Sequence, residues 1–129
     1  MAIKTIVRDS AKVLYNNFHF SEAIESGGFL LCSGIIGTGQ GGKVPDDISE
    51  EFDNAWSDVI SLLKEAGSDA GDIVEYTSYH VGLKATMADF MEVRDKYLAE
   101  PWPAWTAIGI TELAVPGARV EIRVTAKLP

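Results

Sequence analysis

The chain has 129 residues, 47% of them hydrophobic, with 11 Lys and Arg set against 19 Asp and Glu and a single Cys. That length suits one domain spanning 1–129, able to bury roughly two thirds of the surface its unfolded form exposes, and one cysteine excludes an internal disulfide framework. The formal charge of −8 argues against nucleic-acid and anionic-membrane partners, because phosphate binding draws its affinity from Lys and Arg.

At the N-terminus, Met1-Ala2-Ile3-Lys4-Thr5-Ile6-Val7-Arg8-Asp9 lacks an apolar leader stretch behind a positive head. No uncharged window approaches the roughly 18 residues that span a bilayer, so a cytoplasmic location is expected. Segments 3–7, 18–24 and 29–36 alternate or run apolar and read as strands. The loop Gly37-Thr38-Gly39-Gln40-Gly41-Gly42-Lys43 formally satisfies both G-x-G-x-x-G and G-x-x-x-x-G-K. Yet Val44 stands where a phosphate loop needs Ser or Thr for magnesium, and Pro45-Asp46-Asp47 holds the next helix away and brings carboxylates. It reads as a plain strand-to-helix loop. Over 48–66, Ile48, Phe52, Ala55, Trp56, Val59, Ile60, Leu63 and Ala66 recur with helical spacing; Asp47 with Glu50 resembles a capping box and Gly67 a C-terminal cap. Segment 73–81 reads as a strand apolar on both sides, with Val74 and Tyr76 opposite Ile73, Tyr79 and Val81. A second helix is expected over 88–99, capped by Thr86, ridged by Phe90, Val93 and Tyr97 and stopped by Pro101. Strands at 104–113 and 119–128 complete the chain.

The order β-β-β-α-β-α-β-β makes an α+β fold, a mixed six-stranded sheet with two helices on one face, the economical packing. The other face then needs polar residues or a second subunit, and the two-sided strand at 73–81 favours an oligomer. His19, Cys32 and His80 fall on separate strands without paired ligand spacing, so no metal site is expected, and Cys32 reads as a small core residue. In Arg119-Val120-Glu121-Ile122-Arg123-Val124, alternation places Glu121 with Arg119 and Arg123, either as an ion-paired surface acid or as a site acid. Glu112 reads as a surface acid. Pro101-Trp102-Pro103-Ala104-Trp105 sets two indoles around a proline turn, which suits a binding surface or a hydrophobic plug.

Several stretches together resemble the RidA/YjgF reactive-intermediate deaminase family. They are Leu31-Cys32-Ser33-Gly34, the loop to Val44-Pro45-Asp46, Asn54, Leu63-Lys64-Glu65-Ala66-Gly67, Asp72-Ile73-Val74-Glu75-Tyr76-Thr77, Asp89-Phe90-Met91-Glu92-Val93 with Tyr97, Pro103-Ala104, and Val120-Glu121-Ile122. The resemblance runs from about Phe20 to Ala126 in one register, with a small insertion around Ala114-Val115. It implies a chorismate-mutase-like fold assembled as a homotrimer, with small-molecule pockets at the subunit interfaces. It also implies cofactor-independent hydrolysis of enamines and imines to a carbonyl product and ammonia.

Residue by residue, the resemblance is partial. Ser33 and Gly34 stand at the family's Ser-Gly, and Glu121 at the glutamate that handles water. The arginine that grips the substrate carboxylate is absent: Trp105 takes its place, Phe20 the tyrosine position and Arg94 the asparagine position, with Ala107 also on the pocket wall. Three readings follow. The first is a deaminase of altered specificity, in which Glu121 is catalytic, Arg94 supplies the missing cation from another wall, and Trp105 and Phe20 cradle a bulkier or aromatic imine. The second is a metabolite-binding module in which Glu121 only pairs Arg119 or Arg123. The third is a trimer whose pocket has lost its ligand.

Overall fold

The computed structural model describes residues 3–129; Met1 and Ala2, on which the N-terminal reading starts, lie outside the described residues. Among these it has seven strands and three helices. The strands are β1 (Lys4–Ile6), β2 (Ala23–Ser26), β3 (Phe29–Cys32), β4 (Ile35–Ile36), β5 (Ile73–Val81), β6 (Ala104–Ile110) and β7 (Val120–Lys127). The helices are α1 (Lys12–Phe18), α2 (Ile48–Glu65) and α3 (Leu83–Arg94). The strands make one mixed sheet in the order β1-β2-β3-β7-β5-β6, with β4 also on β7. Helix α3 supplies the crossover between β5 and β6, which run parallel; the other pairings are antiparallel.

Period-two alternation on β7 sorts the sheet into two faces. Val120, Ile122, Val124 and Ala126 are buried against Phe52, Trp56, Val59 and Leu63 of α2 and Phe90 and Val93 of α3. Each such side chain taken out of water is worth about 1.5–3 kcal/mol, so the α2 stripe dictates how that helix docks. Its ends follow the sequence. Asp47 Oδ2 accepts from the Glu50 amide at 3.1 Å. After Ala66, Gly67 turns at φ 82°, and the amides of Gly67 and Ser68 donate to the carbonyls of Lys64 and Leu63 at 3.0 and 2.9 Å, a double bond pattern that closes the helix. The glycine-rich loop has a packing role: a side chain on Gly37 would collide with the Glu51 carbonyl of α2, and Asn54 Nδ2 braces the Gly37 carbonyl at 3.4 Å.

Four expectations are corrected. The segment 18–24 is not one strand: α1 closes at His19, left-handed at φ 58°, and β2 starts at Ala23. Helix α1 buries none of its residues and leaves Val13 and Phe18 65% and 69% exposed, so it has no inward stripe to read. The segment 29–36 breaks into β3 and β4 at Ser33-Gly34, where the Ser33 amide turns away to the Glu22 carbonyl at 2.8 Å. On β5, a bulge between Ile73 and Glu75 puts Ile73 and Tyr76 on the same core face. Finally, α3 starts at Leu83, five residues before the expected start, because Gly82 in the left-handed region turns the chain straight out of β5. Thr86 is therefore no cap; its hydroxyl donates to the Leu83 carbonyl at 3.2 Å. Tyr97 lies past the helix end and still stacks on Trp56, with centroids 6.5 Å apart.

The face opposite the helices carries Phe29 and Leu31, 42% and 40% exposed, and Ile108, also 40% exposed. No helix among the described residues is long and apolar enough to cross a membrane.

Candidate functional site

Side chains paired across neighbouring strands share a face. Trp105 and Ala107 pair with Tyr76 and Ser78 of β5, so both lie on the helix-covered face, at the edge strand of the sheet. Trp105 stacks on Tyr76 with centroids 5.8 Å apart and planes 12° apart, and on Phe90 at 5.9 Å. Its indole N–H donates to Ser78 Oγ at 2.9 Å. The Arg94 guanidinium lies 5.0 Å over this ring and 5.8 Å over that of Trp102, a cation–π sandwich. Arg94 Nε also donates to Asp95 Oδ1 at 3.0 Å. Burial opposes the charge on Arg94, but Tyr76 and Asp95 outweigh it and raise its pKa. The Arg94 cation therefore sits against the Trp105 indole.

Glu121 faces the other way. Its cross-strand partners are Ile36 of β4 and Tyr79 of β5, and the Gly34 backbone lies against its carboxylate so closely that a side chain at 34 would collide with it. Loss of solvent pushes the Glu121 carboxyl up from its ordinary value. Among the described residues it has no ion pair. Arg119, one of its two expected partners, points elsewhere: Nε meets Glu51 Oε1 at 2.6 Å, while the guanidinium donates to the Pro45 and Asp46 carbonyls at 2.9 and 3.1 Å. The reason is register, since Arg119 precedes β7 and escapes its alternation. Ser33 Oγ donates to the Ser21 carbonyl at 2.7 Å and so pins the segment bearing Phe20, itself 41% exposed. Cys32 is buried with its thiol pushed up to about 12, chiefly by desolvation, which suits a core residue.

The chain thus separates the expected site residues into two groups. Glu121 and Gly34 meet on the open face near Ser33, and Arg94, Trp105 and Ala107 share the helix face of the far edge. β2, which follows Phe20, stands four strands from β6, or roughly 19 Å at sheet spacing. Two surface hollows, one of about 590 Å³ between 42–46 and 115–117 and one of about 360 Å³ beside α1, hold none of the expected site residues. No cluster of metal-ligating side chains occurs among the described residues.

Sequence reasoning missed Ser78 and His80. Both are fully buried, and His80 Nε2 and Nδ1 lie 2.8 Å from Ser78 Oγ and 3.0 Å from Thr86 Oγ1. No local signal marks them, because β5 also carries the polar Glu75 and Thr77. Desolvation lowers the His80 pKa below its ordinary 6.5. The unfolded chain therefore takes up this proton first, and stability is expected to fall as pH drops below about 6.5, by at most about 1.4 kcal/mol per pH unit. Urea titrations between pH 7.5 and 5 check this, with His80→Gln flattening the acid limb.

Residues 11–128 match the family model described as Endoribonuclease L-PSP. The RutC family protein YjgH of Escherichia coli K12 is 35% identical over 117 residues, covering 90% of this chain and 88% of that protein. The chain belongs to the RidA/YjgF family. Among RidA/YjgF proteins it is also similar to a RutC family protein of Aquifex aeolicus, 32% identical over 110 residues, covering 83% of this chain and 86% of that one. The solved structure of protein YjgH superposes with a TM-score of 0.82 at 34% identity, over 100% of this chain and 96% of the other. RidA from an Antarctic Psychrobacter superposes at 0.79 with 22% identity, over 85% and 89% of the two chains, and shows the shared fold.

Proposed function

We propose that this RidA/YjgF protein hydrolyses reactive enamines and imines to a carbonyl compound and ammonia, with a pocket completed between subunits of a homotrimer and tuned to flat, bulky substrates. The observation that carries the reading is Glu121: a carboxyl without an ion partner among the described residues, its pKa raised by desolvation, beside a glycine that leaves room for it. A carboxyl of this kind is protonated over a wider pH range and suits general acid work. It gives its proton to the enamine carbon, the resulting iminium takes water at its carbon while Glu121 recovers a proton from that water, and the carbinolamine collapses with loss of ammonia. Every step is a proton transfer, an addition or an elimination, so the balance closes without a redox partner or electron sink.

Assembly supplies what one protomer lacks. Glu121 and Trp105 lie on opposite faces, so only a neighbouring copy can bring an edge strand bearing Trp105 to an open face bearing Glu121. Phe29, Leu31 and Ile108 on that face suit burial against another copy. Sedimentation equilibrium tests this point, and a monomer would remove the pocket. Specificity rests on Trp105, with Arg94 as the anion-facing charge. RNA is a poor substrate for this surface: the chain carries a formal charge of −8, and Arg8 and Arg119 are each committed to carboxylates.

The test is ammonia release from imines made in place by amino-acid oxidases acting on small, branched and aromatic amino acids. Acceleration is expected with the aromatic set; none with any set would favour the binding-module reading, for which the Arg94–Asp95 pair, already neutralised, is the supporting feature. Trp105→Arg alone is expected to stay inactive on small imines, because a second guanidinium would face Arg94 across about the 5.0 Å now spanned by the cation–π contact. Trp105→Arg with Arg94→Asn is expected to raise the rate on 2-aminoacrylate at least tenfold over either single variant.

A further inference from the structure

The buried contacts behind Trp105 form a chain with one direction. An indole N–H can only donate and a backbone carbonyl can only accept, so only the imidazole tautomer with its proton on Nδ1 keeps all four hydrogen bonds at once, and in that tautomer the chain runs one way. Trp105 Nε1–H donates to Ser78 Oγ at 2.9 Å, and the Ser78 hydroxyl donates to His80 Nε2 at 2.8 Å. His80 Nδ1–H donates to Thr86 Oγ1 at 3.0 Å, and the Thr86 hydroxyl donates to the Leu83 carbonyl at 3.2 Å. With the opposite imidazole tautomer, the Ser78 proton loses His80 as its acceptor, and the Thr86 proton must leave Leu83. The chain spans β5, α3 and β6, and the His80 ring packs edge-on against Phe90 at 4.8 Å, which in turn stacks on Trp105.

Ser78 and His80 are fully buried, and a polar pair in a core costs stability that two aliphatic side chains would not. Its outer end is the Trp105 ring, whose face carries the Arg94 guanidinium. We propose that Ser78 and His80 are positioning residues that hold the Trp105 indole, and through it Arg94, in one orientation, making that wall of the pocket rigid and selective for flat conjugated acids. The proposal rests on the reading that Trp105 lines the ligand pocket. The Ser78–His80 pair also has the spacing of an activated hydroxyl, but the indole caps the oxygen and no surface reaches it, so its part is orientation.

The experiment uses the full chain labelled with ¹⁵N. It has three indoles in three settings: Trp56, buried with an unpartnered Nε1, Trp102, 55% exposed, and Trp105 on Ser78. In the unaltered protein His80 is expected to show a protonated Nδ1 and a bare Nε2; the reverse tautomer overturns the chain, with no variant needed. In Ser78→Ala, or in the nearly isosteric Ser78→Cys should the first not fold, the Trp105 indole N–H, assigned with Trp105→Phe, is expected to exchange with solvent at least tenfold faster. The other two should stay in place. An unmoved Trp105 signal sinks the proposal. The functional arm measures binding of phenylpyruvate, the keto acid an aromatic imine yields. Ser78→Ala is expected to weaken it by roughly fivefold to tenfold, and the double variant with Trp105→Phe to match Trp105→Phe alone; losses that multiply would mean Ser78 acts by another route. If the unaltered protein does not bind phenylpyruvate, the flat-acid pocket reading and the selectivity half of the proposal fall, while the indole and imidazole signals still decide the orientation half.

Discussion

Glu121→Gln is expected to reduce ammonia release at least about 100-fold while leaving the fold intact, since general acid–base groups contribute roughly 10²–10⁴ in rate. The substitution keeps the shape that fits beside Gly34 and removes only the ionisable proton. Two further signs distinguish this from damage. The carboxyl's pKa is raised, so its proton is held more tightly in the folded protein, and the stability this lends at low pH is lost as pH rises through that raised value. At neutral pH the Gln variant should therefore melt at or above the temperature of the unaltered protein, and the two should converge in acid. The catalysed rate should also fall as pH rises through the same raised value. A variant that loses activity together with stability would point to a structural role for Glu121.

The largest effect on stability is expected at Glu51, in the first turn of α2. Its carboxylate is fully buried and accepts from the Arg119 amide at 2.7 Å, Arg119 Nε at 2.6 Å and the Val120 amide at 3.3 Å. It thereby ties α2 to the start of β7 and closes backbone groups that would otherwise be orphaned. Removing one partner of a buried pair costs about 3–5 kcal/mol; Arg119 keeps two carbonyl partners and is partly exposed, so Glu51→Ala should lie near the lower end. Against a total of about 5–15 kcal/mol that is a large share. Urea unfolding checks it, with Glu50→Ala on the neighbouring exposed position as the control for helix propensity. A loss below 1 kcal/mol would show that water replaces the carboxylate.

The same pair explains part of what sequence reading misassigned. Glu51 has the composition of a solvent-face helix residue, and Arg119 sits at the spacing that alternation would pair with Glu121; nothing local says that the chain enters β7 one residue later and swings the guanidinium to α2. Glu121, by contrast, was legible, because Val120, Ile122 and Val124 set its face and the surrounding motif set its role as an expectation. Arg94 and Trp105 were both legible as candidate positions. Their stacking against each other was not, since it depends on α3 starting at Leu83, straight after Gly82, and so presenting Arg94 over the edge of β6. Ser78 and His80 were visible as residues but silent as a pair, because a polar residue in a strand looks the same whether it faces water or a completed hydrogen-bond chain.

What this sequence determines by itself is therefore whatever short-range rules encode: the α2 stripe and both of its caps, the alternation of β7, the buried Cys32, and the charge balance that disfavours polyanions. A helix such as α1 that buries nothing carries no periodic signal, and a bulge such as that on β5 shifts a face without changing composition. Those were left to the tertiary structure, along with Glu51 on Arg119, Trp105 on Ser78 and the separation of Glu121 from Arg94 onto opposite faces. The physical reason is the same in each case: a hydrogen bond or stacking contact between residues tens of positions apart depends on register and strand order, which long-range packing decides.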